Sequence, residues 1–260
     1  MCELIAEIEA SEKIRVVIAG IGISSRTMGT AHAASDYDIK CIFVQPRSSY
    51  FGLKSSATTF KHHFAAAVGG LDVEISGWEA RHALQLLSED NPTVLGLLLS
   101  PVIYIGEEWR SRLREVAEKT CNRQRLMHHW YNHARRNYQS YILNSDTPLR
   151  KRYVHVLRPL LSIAWQNKHG TASFPPATIP ELLEQVEALG GFSAEEVATV
   201  KTLIERLEEL PEALPREPSL DALLARLLES ERPVGTKPPV PTSDVWHNLC
   251  VELINAEAPW

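Results

Sequence analysis

Residues 35–44 read SDYDIKCIFV and residues 71–76 read LDVEIS. The first is an apolar, β-branched and aromatic run closed by Pro46, which reads as a buried strand over 38–46. Its entrance carries two aspartates, Asp36 and Asp38. Alternation along a strand puts residues i and i+2 on one face, so both carboxylates point the same way. Left unpaired, they repel, and each raises the other's pKa. The second run alternates apolar and acidic residues at period two, a third strand with one wet face, and brings Asp72 and Glu74 to one side. A turn entering a half-exposed strand accounts for either run alone. Both together, on one sheet, point to a shared acidic cleft.

Working outward, IRVVIAG (14–20) is a β-branched run closed by glycine and reads as the first buried strand. The stretch after it, IGISSRTMGTAHAAS, is rich in small residues and has no apolar period. Gly20, Gly22 and Gly29 permit close backbone approach, Ser24 and Ser25 offer hydroxyls, and Arg26 offers a fork matched to phosphate. A flexible loop with Arg26 in solvent is the plainer reading. After the third strand, Ser76 and Glu79 in SGWE have the spacing of a capping box opening a helix over 77–89. A short helix follows with Pro92 in its first turn, and PVIYIG (101–106) reads as an edge strand.

From Glu107 the pattern is helical, with candidates at 107–119, 122–143, 148–168, 178–190, 193–210, 218–231 and 241–257. Proline-containing links separate the later ones. The fold class is therefore α/β (α+β): a small mixed-sheet domain over 1–110, followed by an all-helical domain over 111–260.

The chain of 260 residues has a formal net charge of −5, so the whole molecule has no electrostatic drive toward nucleic acid or anionic membrane. No stretch approaches the roughly 20 apolar residues that span a bilayer. The start, MCELIAEIEASEK, is acidic and amphipathic, unlike a signal peptide. The four cysteines show no CxxC spacing, which argues against disulfides and zinc and for a cytoplasmic setting. His129 and His133 stand at i and i+4 but lack the acid of an HExxH zinc motif. One segment departs from the overall balance: 122–158 carries eight lysines and arginines against the single acid Asp146. Such a basic, aromatic-laced segment suits a polyanion, and equally a solvated helix face balanced by the acidic helices after it.

Hard carboxylate oxygens such as those of Asp36 and Asp38 suit Mg2+ or Mn2+. A third acid on a neighbouring strand lets such a group hold two ions roughly 3.5–4 Å apart, the arrangement that supports phosphoryl transfer. The ordered series SSRTMG (24–29), SDYDIK (35–40) and EISGWE (74–79) resembles the DNA polymerase beta superfamily of nucleotidyltransferases, most closely its RNA-repair-pathway members. Their pattern is approximately G-S-R-A-W-G, S-D-Y-D-h-R/K, D-h-x-G-W-D, A-R-x-N-Y and V-L-R-P-L-L, where h is apolar. Arg26 stands ten residues ahead of Asp36, the family's spacing. HWYNHARRNYQSYI (129–142) and RYVHVLRPLLSIAW (152–165) continue the match in order, so the likeness covers roughly residues 14–165.

The resemblance implies a metal-dependent transfer of a nucleoside monophosphate from an NTP to a hydroxyl, with an RNA end as acceptor. It makes Asp36, Asp38 and Glu74 the metal-binding and catalytic acids, with Glu74 holding a second metal or serving as general base. Ser24, Ser25, Arg26 and Gly29 become nucleotide contacts, and His129, Arg136, Asn137, Tyr138 and Arg158 acceptor or base contacts. Two positions depart from the pattern: Ser24 replaces glycine, and Glu74 replaces aspartate, which leaves Asp72 as a rival for the third acid. The departures keep a catalytically degenerate nucleotide- or RNA-binding protein open as an alternative, and the same chemistry serves protein or small-molecule adenylylation. A D-x-D glycosyltransferase is disfavoured because only one strand precedes Asp36.

Overall fold

The computed structural model describes residues 1–53, 57–170, 173–209, 212–213, 215–240 and 244–259. Helix α1 (Cys2–Glu12) leads into β1 (Arg15–Ile21), the one-turn α2 (Ser25–Met28) and β2 (Tyr37–Val44). The short α3 (Arg47–Phe51), β3 (Thr59–Val68) and β4 (Leu71–Glu79) come next. Helices α4 (Ala80–Ser88) and α5 (Pro92–Leu98) precede β5 (Ile103–Ile105). The five strands form one mixed sheet in the order β3-β4-β2-β1-β5, in which only β2 and β4 run parallel.

Alternation divides each central strand between two faces. Ile39, Cys41 and Phe43 of β2 join Val73 and Ile75 of β4 and Ile5 and Ile8 of α1 in one apolar cluster. Ile42 and Val44, also buried, project to the opposite face, where α4 packs against β2 and β4. On that same face, nearer the start of the strand, stand Asp38 and Lys40, both half-buried. The face is thus apolar where helices cover it and polar where they do not.

Two expectations fail in this part. No strand is expected from the sequence between 47 and 70, yet β3 fills Thr59–Val68. The expected capping box at Ser76 is absent, because β4 runs on to Glu79. Ser76 to Trp78 are paired on both sides, in parallel with Lys40 to Ile42 and antiparallel to Thr59 to Lys61 of β3. Ladder bonds on two edges outcompete a helix start. Glu79 itself caps α4: its carboxylate accepts from the Arg81 amide at 3.0 Å and from the Tyr50 hydroxyl at 2.9 Å.

The remaining helices are α6 (Glu107–Thr120), α7 (Arg123–Asn137), α8 (Arg150–His169), α9 (Ile179–Ala188), α10 (Ala194–Glu205), α11 (Pro218–Ser230) and α12 (Asp244–Glu257). A six-residue π-helix (Tyr138–Leu143) continues α7. The helices expected over 193–210 and 241–257 include 210 and 241–243, which lie outside the described residues. The chain groups into two compact units: one of 1–27, 33–121 and 239–260, the other of 28–32 and 122–238. The boundary expected at 110 falls inside α6, and α12 belongs with the sheet rather than with the other late helices. Among the described residues no helix is long and apolar enough to cross a membrane.

Candidate nucleotidyltransfer site

The parallel ladder sets Asp38 directly beside Glu74, and Lys40 beside Ser76. All four side chains share one face, with Asp72 two residues further along β4. Burial raises the pKa of Asp38, as do the charges of Asp36 and Glu74, while Lys40 and Lys61 pull it down. Asp36 itself lies just before β2 and is exposed.

Glu74 lies in the opposite electrostatic situation. Its carboxylate is 2.8 Å from Lys61 Nζ and 3.7 Å from Lys40 Nζ. The Lys61 hydrogen bond and the charge of Lys40 hold its pKa below the ordinary value despite desolvation. A carboxylate held in that state is a weak proton acceptor at neutral pH. Asp72 is committed to the β3–β4 hairpin: it accepts from the Ala66 amide at 2.9 Å and pairs with His63 at 3.1 Å. Of the two rivals for the third acid, Glu74 is the one in register with Asp38.

The turn after β1 is built on a threonine. Thr27 Oγ1 accepts from the Ser24 amide at 2.9 Å and donates to the Gly22 carbonyl at 2.8 Å. The Gly22 amide in turn donates to the Asp38 carbonyl at 2.9 Å, tying this turn to the acidic strand. Ser24 Oγ is buried with no hydrogen-bond partner, a donor left over by the fold. Ser25 opens α2, and Gly29 follows it at φ +71°, where a side chain would be strained. Arg26 is not idle in solvent. Its Nε donates to the Asp36 carbonyl at 3.0 Å, its Nη2 to the Ser35 carbonyl, and its guanidinium lies 3.8 Å over the Tyr37 ring. It therefore pins the backbone that presents both aspartates.

The candidate contacts in the helical unit are each engaged locally. His129 Nε2 lies 3.0 Å from Lys237 Nζ. Arg136 and Asn137 donate to carbonyls one turn back in α7, those of Asn132 and His133. Tyr138 begins the π-helix, where burial and the charge of Asp221 raise its pKa. Burial pushes the Arg158 guanidinium down to about 10, with the Ala177 carbonyl at 3.4 Å. The basic segment is thus partly internal. Arg123 and Arg125 are buried, and so is Arg150, which donates to the Arg206 and Glu209 carbonyls.

Hard oxygen donors at Asp36 and Asp38, one of them destabilised by its like-charged neighbours, fit a divalent cation. Glu74 lies between two ammonium groups, those of Lys61 and Lys40. Among the described residues no three His, Cys, Asp or Glu side chains converge as a metal cage. Sequence reasoning missed both lysines. Lys40 was within reach, since it lies two residues beyond Asp38 and so on the same face. Lys61 was not, because its position depends on the register of β3.

Adjacent acids in register on a small mixed sheet, joined to a Ser-Arg turn, are compatible with a polymerase-beta-like nucleotidyltransferase fold. The family comparison agrees: residues 1–252 match the RNA repair pathway DNA polymerase beta family, RlaP, and the chain belongs to it. It is 30% identical over 225 residues to the uncharacterized protein YcgL of Bacillus subtilis (strain 168), covering 86% of this chain and 81% of that one. A solved nucleotidyltransferase-like protein from Exiguobacterium sibiricum 255-15 aligns over 88% of this chain and 73% of its own, at 13% identity and a TM-score of 0.33.

Proposed function

We propose that the protein transfers a nucleoside monophosphate from an NTP to a hydroxyl acceptor in a reaction dependent on Mg2+ or Mn2+, with an RNA end as the acceptor class. The observation that carries this reading is the in-register placement of Asp38 beside Glu74, with Asp36 electrostatically coupled to Asp38. Asp36 and Asp38 would hold the cation, which when bound offsets charge on the transferring phosphoryl group. Arg26 keeps the Asp36 backbone in place, and the leftover hydroxyl of Ser24 is a donor suited to a phosphate oxygen. Catalysis in such a site comes from positioning and electrostatics rather than covalent chemistry.

The test is label transfer from each of four α-labelled NTPs to RNA, to protein and with no acceptor, in Mg2+ or Mn2+. The wild-type chain should label one acceptor class, and Asp38→Asn should lose that activity by a factor of roughly 10³ or more with its fold intact. Full activity in Asp38→Asn would remove the aspartate pair from the mechanism. The engagement of Glu74 by two lysines favours a second reading, a binding protein of the same fold without turnover. Nucleotide or RNA binding that is indifferent to EDTA, with no transfer under any condition, would select it.

A further inference from the structure

Glu74 differs from the two aspartates in having an ammonium group near each of its carboxylate oxygens. Lys61 Nζ lies 2.8 Å from Oε2, and Lys40 Nζ 3.7 Å from Oε1. Lys40 is fixed rather than swinging. Its ammonium donates to Ser76 Oγ at 2.6 Å, and its side chain is only 19% exposed. Its stem packs against Gly22, where even one added Cβ would run into Lys40 Cγ. Lys61 reaches the same carboxylate from β3, where it faces Ser76 across the ladder.

Resting on the reading above, we propose that Lys40 and Lys61 occupy the place of a second cation, so that the site takes a single divalent ion, at Asp36 and Asp38. An ion coordinated by Glu74 would need its oxygens at about 2.0–2.1 Å. It would then sit within a few ångströms of two ammonium groups, one of which is tied to Ser76. A divalent charge doubles the repulsion felt between unit charges at that separation, and screening is least at Lys40, whose side chain is only 19% exposed. The lysines instead pair with Glu74 where it stands beside Asp38 in the parallel ladder. They are positioning residues, acting through Glu74. Lys40 also links two parts of the site, since the Gly22 backbone that covers its stem is bonded to the Asp38 carbonyl.

Electron paramagnetic resonance of Mn2+ bound to the full chain tests this directly, because two ions about 3.5–4 Å apart give a dipolar-split spectrum and one ion does not. The probe is Mn2+ with the α,β-imido analogues of the four NTPs in turn, which bind without transfer. Wild type should hold one unsplit Mn2+ per chain. The Lys40→Met, Lys61→Met double variant should take a second ion, and the splitting should emerge. Lys61→Met alone changes only an exposed strand position, so it reports even where the double variant fails to fold. It should take up a second ion at Mn2+ concentrations where wild type still holds only one. A split spectrum from wild type, or second-ion binding unchanged in the variants, overturns the proposal while leaving the aspartate site standing. The underlying reading fails differently: wild type would then hold no more Mn2+ than Asp38→Asn with any of the four analogues, and the proposal would fall with it.

Discussion

Asp38 is strained by its surroundings in a way that chemistry can use. Burial and the charges of Asp36 and Glu74 favour its protonated form, so the folded chain binds that proton more tightly than the unfolded chain does. For an acid shifted upward, the stabilisation is present at low pH. It is lost as pH rises from the ordinary carboxylate value through the raised one. At neutral pH the ionised group is therefore a net cost to the fold. Asp38→Asn removes that cost and should raise the melting temperature at pH 7 while abolishing transfer. Solvent screening keeps the gain to about 1 kcal/mol or less, roughly 2–4 °C in a chain of this size. The gap should close as pH falls through the raised pKa, where wild-type Asp38 takes up its proton. A variant that melts below wild type at neutral pH would show that Asp38 is a structural residue. This electrostatic cost was legible in the sequence, as two like charges at a strand entrance. The roles of Arg26 and Glu74 were not, because both depend on partners far along the chain or on backbone carbonyls.

At the scale of elements, local patterns succeeded where one strand or helix decides its own fate. They failed where neighbours decide. β1, β2 and the α5 start at Pro92 follow from apolar runs and punctuation. β3 escaped because the run Thr59–Val68 alternates only weakly and carries three alanines before its last residue, and it is a strand because β4 pairs with it. Ser76 has the spacing of a helix cap and is a strand residue for the same reason. Glycine shows the same distinction in energy. Gly106 sits at φ +79° before α6, and a Cβ there would be driven into the backbone carbonyl of Val17 on β1. Gly69, at φ +60° in the β3–β4 turn, has open space around it. Gly69→Ala should thus cost only the left-handed backbone term, about 1 kcal/mol. Gly106→Ala adds displacement of a core strand and should cost about 3 kcal/mol or more. Urea melts of the two variants decide it, and equal losses would show that β1 yields freely at Val17.

For the whole molecule, the order of the chain misleads about its packing. A run of helices from 107 to the end reads as one helical domain, but α12 belongs to the sheet-bearing unit. Composition hides this, because an amphipathic helix does not record which surface it covers. The structure names the surface. Trp246, Leu249 and Leu253 of α12 are buried, and α12 packs against α4, the helix that covers β2 and β4. Polar ties fix its orientation: Trp109 Nε1 donates to Glu257 at 2.9 Å, and Arg112 Nη2 reaches both Glu252 oxygens, at 2.8 and 2.7 Å. The Arg47 amide and guanidinium bond the Pro259, Ala258 and Asn255 carbonyls. Three large apolar side chains at about 1.5–3 kcal/mol each approach the whole stability of an ordinary domain. Ending the chain at 238, after the last helix of the other unit, should therefore leave the sheet-bearing unit unfolded or insoluble. Trp246→Ala should cost about 3–5 kcal/mol, whereas Glu252→Gln, at an exposed ion pair, should cost under about 1 kcal/mol. Thermal melts of the three chains test the assignment. Were the shortened chain to melt within about 2 °C of the full one, α12 would be an appendage. The stability of the Asp38–Glu74 strands would then have to come from α1, α4, α5 and α6 alone.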